Sequence, residues 1–466
     1  MNKMWPRLSF LLILAVPLIS VSCGSAAPDQ DDVQPPETRS WNTFLGSRDS
    51  DVGCGAVADD DGNVYVAGYS YAAWGSPIAA YTEFNDTFVA KLDKNGDLVW
   101  STFLGPTGTS GGHGCSIALD GQGNICVTGL STENWGSPIN PHVFGYDTFV
   151  AKLSSGGELI WNTFLNSNDS GYEGGIAVNS DGDILVIGSS FLSWGTPVRP
   201  FAGSPDVFVA KLSNSGSLVW NTFLGSDSFG DDGNSVTADS SGNVYAVGNS
   251  SFGWGSPIRP ISSPGSIDGF VAKLDENGHL LWNTFLGTDG GAEDYAEDVV
   301  SDGNGTVYVV GTSKGGSWGS PIRPYDHYDG YVAKLDGAGT LVWNTFLGSS
   351  DWEDAGDVTL DSQGHIFVAG SSWGAWGPGA ASYHEGGSDA YIAELDGNGN
   401  LLANAFRGSA GEDHGEGIAT DAAGRIFLAG TSHETWGQPI DIFSDKGTEF
   451  PSNRADAFVA RIESLR

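Results

Sequence analysis

Short runs of alternating apolar and polar residues, each bounded by a turn that contains glycine, extend along most of the chain. In residues 86–92 (DTFVAKL), Phe88, Ala90 and Leu92 fall on one side of an extended backbone. A period of two is typical of β-strands, because successive side chains point to opposite faces of a sheet. The body of the chain shows no apolar positions at helical spacing. The pattern therefore predicts an all-β protein built from many short strands.

These runs recur in a unit of about 60 residues. The segment WNTFL begins at Trp41, Trp161, Trp220, Trp282 and Trp343, with the variants WSTFL at Trp100 and ANAFR at Ala403. Each unit also has an Asp or Asn three residues before a Gly, as in Asp59 and Gly62, followed by a run such as NVYVAG. That spacing suits a hairpin in which the Asp side chain bonds the turn and Gly takes a positive φ. Each unit thus predicts four strands: A before the turn, B the NVYVAG run, C the FVAKL run and D the LVWNTFL run.

Seven such units predict a ring of sheets. One four-stranded antiparallel sheet leaves both faces uncovered, and radial stacking of seven sheets covers them, as in a β-propeller. The last unit has a strand C (FVARI, residues 458–462) but no strand D, whereas residues 39–46 form a strand D without the other three. We therefore expect residues 39–466 to form a seven-bladed β-propeller, all-β, whose N-terminal strand closes the last blade.

Three motifs of the unit resemble those of a known family. LGS, D-x-x-G-N-V-Y-V-x-G and D-x-F-V-A-K-L-D are similar to the SBBP repeats, which are named for a seven-bladed β-propeller, and the similarity covers residues 39–466. One departure is the segment WGSPI, which replaces a Phe-Pro segment in the B–C loops. Members of the family are largely bacterial exported proteins. The resemblance implies a fold and an exported location, but it implies no mechanism.

The N-terminus has the pattern of a bacterial lipoprotein signal. Lys3 and Arg7 precede an apolar run that is too short to span a bilayer, and three small residues then lead to Cys23. Residues 1–23 are therefore predicted to be a signal peptide with Cys23 as the lipidation site, and the polar residues 24–38 a flexible tether. We expect an exported protein whose lipid anchor is its contact with the bacterial membrane or cell surface. Ordinary cleavage nearby would instead leave it secreted or periplasmic.

The charge of the chain limits its partners. Asp and Glu number 57 against 20 Lys and Arg, for a net charge of −37. Such a field repels nucleic acid, because binding to phosphates needs Lys or Arg. It suits cations or cationic partners, and it is equally explained as a solubilising surface.

Cys54 and Cys115 occupy equivalent positions in adjacent units, so they either form a disulfide or are buried free thiols.

Carboxylates recur in the D–A loops, on the face where propellers usually bind ligands. Eight positions before the turn residue, five units carry an acid: Asp51, Asp231, Asp294, Glu353 and Asp413. Ca²⁺ prefers several oxygen ligands, so these residues are candidate metal ligands and calcium is a candidate cofactor. The alternative is that each carboxylate bonds the backbone of its own loop.

Every B–C loop contains a tryptophan, and units 3 to 5 follow it with Arg-Pro. These units supply the candidate ligand-binding residues Trp194, Trp254, Trp318, Arg199, Arg259 and Arg323. Exposed rings would stack on sugars, and arginines on adjacent blades would suit an extended acidic polymer. Because a feature present in every repeat usually serves the repeat, packing of the rings and pairing of the arginines with nearby Asp are the alternatives.

The sequence shows no catalytic motif. The histidines have no metal-ligand spacing, and the sialidase-type S-x-D-x-G-x-T-W box is missing. The leading hypothesis is a monomeric, non-catalytic binding module of the cell envelope or surface. Its D–A and B–C loop face would recognise a polysaccharide or an envelope or extracellular protein. A structural scaffold in the envelope is the alternative, followed by an enzyme that acts on extracellular polymers.

Overall fold

A computed structural model describes residues 40–82, 84–106, 112–165, 167, 174–441, 454–463 and 465. The predicted signal peptide (1–23) with Cys23 and the predicted tether (24–38) lie outside the described residues, so both stay predictions. Within the described ranges, no helix has the length and apolar character needed to cross a membrane. One short 3₁₀ turn, Ala380–Ser382, accompanies the strands.

The strands fall into the four classes expected from the repeat. Strands A are β2 (Asp51–Ala58), β6 (Gly112–Leu119), β10 (Ile176–Val178), β14 (Asp231–Ala238), β18 (Asp294–Ser301), β22 (Asp357–Leu360) and β26 (Asp413–Thr420). Strands B are β3 (Val64–Ser70), β7 (Ile125–Ser131), β11 (Ile184–Ser190), β15 (Val244–Ser250), β19 (Val307–Ser313), β23 (Ile366–Ser372) and β27 (Ile426–Ser432). Strands C are β4 (Asp86–Leu92), β8 (Asp147–Leu153), β12 (Asp206–Leu212), β16 (Asp268–Leu274), β20 (Asp329–Leu335), β24 (Asp389–Leu395) and β28 (Asp456–Ile462). Strands D are β1 (Trp41–Leu45), β5 (Leu98–Leu104), β9 (Leu159–Phe164), β13 (Leu218–Leu224), β17 (Leu280–Leu286), β21 (Leu341–Leu347) and β25 (Leu401–Arg407).

The strands form seven four-stranded antiparallel sheets, the blades of a β-propeller. Blades 1 to 6 run in chain order from strand A to strand D, beginning with β2 to β5. Blade 7 has the order β26-β27-β28-β1, so its outer strand comes from the N-terminus. Trp41 lies opposite Arg461 and Leu45 opposite Ala457 in that pairing. The predicted fold class and the predicted closure of the ring are both confirmed.

The A–B hairpins have the predicted chemistry. In blade 1 a carboxylate oxygen of Asp59 accepts hydrogen bonds from the amides of Asp61 and Asn63, at 3.1 and 2.9 Å. Gly62 has a φ of 84°, in the left-handed region that side chains with a Cβ resist. The Asp-x-x-Gly spacing therefore fixes the turn, and with it the register of strands A and B.

The hydrophobic core is divided among the spaces between neighbouring blades. In one such space, Ile187 and Val209 of blade 3 pack with Val236 and Val244 of blade 4. Strands B and C carry apolar side chains on both of their faces, because each face of a blade is covered by the next blade in the ring. This explains why strands B and C are buried along almost their whole length.

Strands A surround a central channel of about 1030 Å³. Their register shifts by one residue, for example between Gly53 and Gly55 in blade 1 and between Ala296 and Asp298 in blade 5. Such a β-bulge leaves an extra residue unpaired and redirects the side chains next to it. The bulge positions therefore set the chemistry of the channel wall, and they differ from blade to blade.

The cysteines differ in state. Cys54, at the bulge of blade 1, is disulfide-bonded. Cys126 is a free, buried thiol, and burial raises its pKa to about 12. The side chain of Cys115 lies outside the described residues, so the pairing of Cys54 with Cys115 stays a prediction.

Candidate functional site

The five carboxylates proposed as metal ligands lie buried at the start of their strands A or in the loop just before. Asp51 accepts bonds from the amide and hydroxyl of Ser47, at 2.6 and 2.9 Å, and from the hydroxyl of Ser70 at the end of strand B. Glu353 is held in the same way by Ser349 and Ser372. The same arrangement recurs at Asp231, Asp294 and Asp413. Each carboxylate thus ties its D–A loop to strand B.

Burial dominates the electrostatics of these acids. It raises the pKa of Asp51 to about 7 and that of Asp231 to about 6, against the lowering effect of their serine hydrogen bonds. In the described part of the chain, no group of three or more His, Cys, Asp or Glu side chains has an arrangement that could hold a metal ion. The bonds account for the buried carboxylates without a cation, and calcium stays a prediction.

The loop tryptophans are packed inside the blades rather than presented at the surface. Trp194, Trp254 and Trp318 are 9%, 5% and 4% exposed. Each ring meets a strand C aromatic edge-on, as Trp254 meets Phe270 at 5.3 Å between centroids. Stacking on a sugar needs an open ring face, so these rings could serve a ligand only after leaving their packing.

The three arginines bond the backbone of their own blade. The guanidinium of Arg199 donates to the carbonyl oxygens of Phe223 and Gly225, at 2.7 and 3.0 Å. Arg259 and Arg323 make the equivalent pairs of bonds. Arg199 also lies over the ring of Trp254 in the next blade, 5.7 Å from its centroid. These donors tie the B–C loop to strand D, which leaves them poorly placed to converge on an acidic polymer.

A groove between blades 5 and 6 opens on the same loop face and encloses about 600 Å³. Its walls combine aromatic and charged side chains: Glu293, Tyr295, Glu297, Thr312, Lys314, Tyr328, Trp352, Glu353, Asp354 and Trp373. We call this feature the aromatic groove. Its size falls in the range of ordinary small-ligand clefts.

The aromatic residues of the groove form a continuous row. Tyr328 and Trp352 lie 5.2 Å apart between ring centroids, and Trp352 and Trp373 lie 6.5 Å apart. His414 of blade 7 extends the row, 5.8 Å from Trp373. In contrast to the loop tryptophans, Trp352 is 57% exposed and Trp373 is 39% exposed. Large exposed aromatic rings in a cleft are typical of a binding surface.

Backbone bonds hold the two exposed tryptophans in place. The amide of Trp373 donates to the carbonyl of Trp352 at 2.9 Å, and the amide of Glu353 donates to the carbonyl of Tyr328 at 2.8 Å. Because Glu353 is itself bonded to Ser349 and Ser372, the D–A loop of blade 6 is fixed on both sides. The rings are therefore presented by an ordered loop.

The channel contains a second acidic feature. Asp298 accepts bonds from the hydroxyl of Ser235 at 2.5 Å and from the amide of Val358 at 3.0 Å. Asp357 accepts the amide of Ile418 at 2.6 Å. These bonds connect blades 4 to 7 across the inner wall. Burial and the adjacent Asp298 carboxylate raise the pKa of Asp357 well above its usual range.

The aromatic groove was not predicted from the sequence. Trp352 and Trp373 stand outside the tryptophan register of the repeat, in DWEDAGD and SSWGAW, and that departure was the signal available. Residues repeated in every blade, such as Trp254, turn out to pack the blades. The unrepeated tryptophans are the ones that reach solvent, because the repeat provides no neighbour to cover them.

Comparison with known proteins does not assign the chain to a family. No protein-family model matches the chain. Regulatory protein FlaEY of Caulobacter vibrioides is 28% identical over 242 residues, which are 49% of this chain and 23% of that protein. A WD repeat-containing protein of Acanthamoeba polyphaga mimivirus is 24% identical over 290 residues, 53% of this chain and 16% of that protein. The chain thus spans less than a quarter of either relative.

Solved structures resemble the chain only at low sequence identity. An ulvan lyase has 10% identity and a TM-score of 0.45, with 83% of this chain and 93% of that chain covered. A protein of unknown function from Bacteroides caccae has 14% identity and a TM-score of 0.38, with 77% and 94% covered. At this level of similarity these proteins carry no indication of activity.

Proposed function

We propose that the chain is an exported, lipid-anchored, non-catalytic binding module of the SBBP type, and that it holds a polysaccharide in the aromatic groove. The observation that carries the proposal is the exposed pair of rings at Trp352 and Trp373, fixed by backbone bonds at the mouth of a cleft. Pyranose rings present one apolar face and polar edges. An aromatic platform beside hydrogen-bonding groups matches both.

The polar groups of the groove suit hydroxyl recognition. Thr312, Glu297 and Asp354 line the cleft next to the rings, and carboxylates accept hydrogen bonds from hydroxyls at short distance. The rings bury apolar area while the carboxylates fix orientation, which is the usual division of work in ligand clefts. We thus assign stacking on sugar rings, first predicted for Trp194, Trp254 and Trp318, to Trp352 and Trp373 of blade 6.

The alternative is a scaffold propeller without a glycan ligand, and the buried loop tryptophans favour it for the rest of the loop face. A binding screen separates the two functions. We would measure binding of the purified chain to a panel of neutral, amino and uronic-acid polysaccharides by affinity electrophoresis and calorimetry. Each glycan would be tested with calcium and with EDTA, so that the metal prediction is tested too.

A matched pair of variants locates the site. Trp352→Ala removes an exposed ring inside the groove, and we expect it to weaken glycan binding at least tenfold. This corresponds to about 1.4 kcal/mol. Phe229→Ala removes a ring that is 70% exposed on the loop face outside the groove, and it should leave binding unchanged. Binding that is insensitive to Trp352→Ala, or no glycan binding at all, would favour the scaffold.

The anchor has its own test. Cys23→Ser should release the protein from the membrane fraction of a bacterial host while export continues, because lipidation requires the thiol. Retention of the variant in the membrane fraction would overturn the lipoprotein part of the proposal.

A further inference from the structure

The floor of the aromatic groove is acidic. The carboxylate of Glu297 accepts a bond from the side-chain amide of Asn234 at 3.1 Å, and that of Asp354 accepts the amide of Ser371 at 2.7 Å. Among the residues the structure describes, neither carboxylate forms a salt bridge. Burial raises the pKa of Glu297 to about 7, with a further contribution from Asp354. The two carboxylates thus lie near enough to repel one another, and the charge of Lys314 offsets this only in part at Glu297.

The groove already accommodates one ammonium group. The Nζ of Lys314 lies over the ring of Tyr295, 4.5 Å from the centroid, and 3.7 Å from a carboxylate oxygen of Glu293. The hydroxyl of Tyr295 donates to the same Glu293 carboxylate at 3.0 Å. An aromatic face next to a carboxylate is a favourable environment for a cation, through both the ring quadrupole and direct charge attraction. The wall therefore contains an example of the interaction that a ligand ammonium would make.

We propose that the aromatic groove selects polysaccharides with free amino groups, of the β-linked glucosamine type, over neutral and anionic chains. Sugar rings would lie on Trp352 and Trp373, and an ammonium group would lie between the Glu297 and Asp354 carboxylates. The inference rests on the proposed function, since it specifies the ligand class of the same site. Anionic sugars are disfavoured by these carboxylates and by the net charge of −37. Neutral sugars would leave the repulsion between the two carboxylates unrelieved.

The test compares chains that differ only at nitrogen. Calorimetry with the purified full chain would use a glucosamine hexamer, its fully N-acetylated form and a galacturonate hexamer. We expect the glucosamine hexamer to bind at least tenfold more tightly than the acetylated form, and the galacturonate hexamer not to bind. Equal binding of the amino and acetylated chains would overturn this inference and leave the proposed function standing. No binding by any chain would overturn both.

Variants test the residues. Glu297→Gln keeps the shape of the side chain and removes its charge, so it should weaken binding of the amino chain much more than binding of the acetylated chain and remove most of the preference between them. Glu276→Gln, at an exposed position on the opposite face, is the control and should change neither affinity. Lys314→Met removes the resident cation and should strengthen binding of the amino chain severalfold, because a competing like charge is gone. Lys314 is exposed, so this variant remains informative if Glu297→Gln does not fold. An unchanged amino preference in Glu297→Gln, or unchanged affinity in Lys314→Met, would refute the assignment.

Discussion

Deletion of residues 38–47 should open the seventh blade. The deletion removes strand β1, whose side chains Trp41, Phe44 and Leu45 are 9%, 2% and 4% exposed. Phe44 also packs against Trp436, with ring centroids 5.9 Å apart. Without β1, the edge of strand β28 is left unpaired, and such edges promote aggregation.

The magnitude follows from the buried area. Full burial of Phe44 and of Leu45 contributes about 1.5–3 kcal/mol each, or roughly 3–6 kcal/mol together. This loss is comparable with the whole stability of a typical protein, about 5–15 kcal/mol. We therefore expect the truncated chain either to unfold at much lower denaturant concentration or to accumulate as aggregates.

Urea denaturation followed by circular dichroism, together with size-exclusion chromatography, would measure the effect. A deletion of residues 24–33, in the predicted tether, is the control and should leave the midpoint unchanged. A synthetic peptide of residues 38–47 should restore the midpoint in a concentration-dependent way, because it binds only the folded chain. An unchanged midpoint in the truncated protein would show that β1 does not hold the ring closed.

Three further predictions concern stability. Because the folded pKa of Asp357 is raised, the native state retains a proton that the unfolded chain releases, so its contribution to stability is full at low pH and is lost as the pH rises. The melting temperature should fall from pH 5 to pH 8, and it should fall less steeply in Asp357→Asn. An equal fall in both proteins would contradict a raised pKa at Asp357. Cys54→Ser should lower the free energy of unfolding by about 2–4 kcal/mol in urea titrations. A reductant should destabilise the wild type but not this variant, and a variant that a reductant still destabilises would argue against the disulfide. Arg259→Ala should lower the free energy of unfolding by about 1–3 kcal/mol while glycan affinity stays within twofold, and a large loss of affinity with unchanged stability would return Arg259 to the ligand site.

The strands and turns could be predicted from the sequence because their determinants are local. The alternation in residues 86–92 predicted the whole of strand C of blade 1, and the pair Asp59 and Gly62 predicted the A–B hairpin of the same blade. The bounds of a strand were harder to predict where a strand A is irregular, as in blade 6, where β22 starts at Asp357. A bulge depends on how the two strands twist together, which alternation alone does not report.

The roles of the tryptophans were harder to predict. Trp254 and Trp352 are chemically identical, and both lie in loops of the same face. Trp254 packs against Phe270 and Phe285 inside its blade, whereas the ring of Trp352 projects into the aromatic groove. The repeat register distinguished them, but which of the two reaches solvent depended on neighbours that are far away in the chain.

By itself, the sequence determined the number of blades, the order of strands within each blade and the closure of the ring by residues 41–45. These properties follow from the period of two, from turn chemistry and from the count of repeats, all of which act over a few residues. The tertiary structure alone decided which carboxylates come together in the aromatic groove, as Glu297 of blade 5 and Asp354 of blade 6 do. The physical reason is that burial and charge pairing depend on contacts between blades 5, 6 and 7, and residues of different blades come together only when the ring has closed.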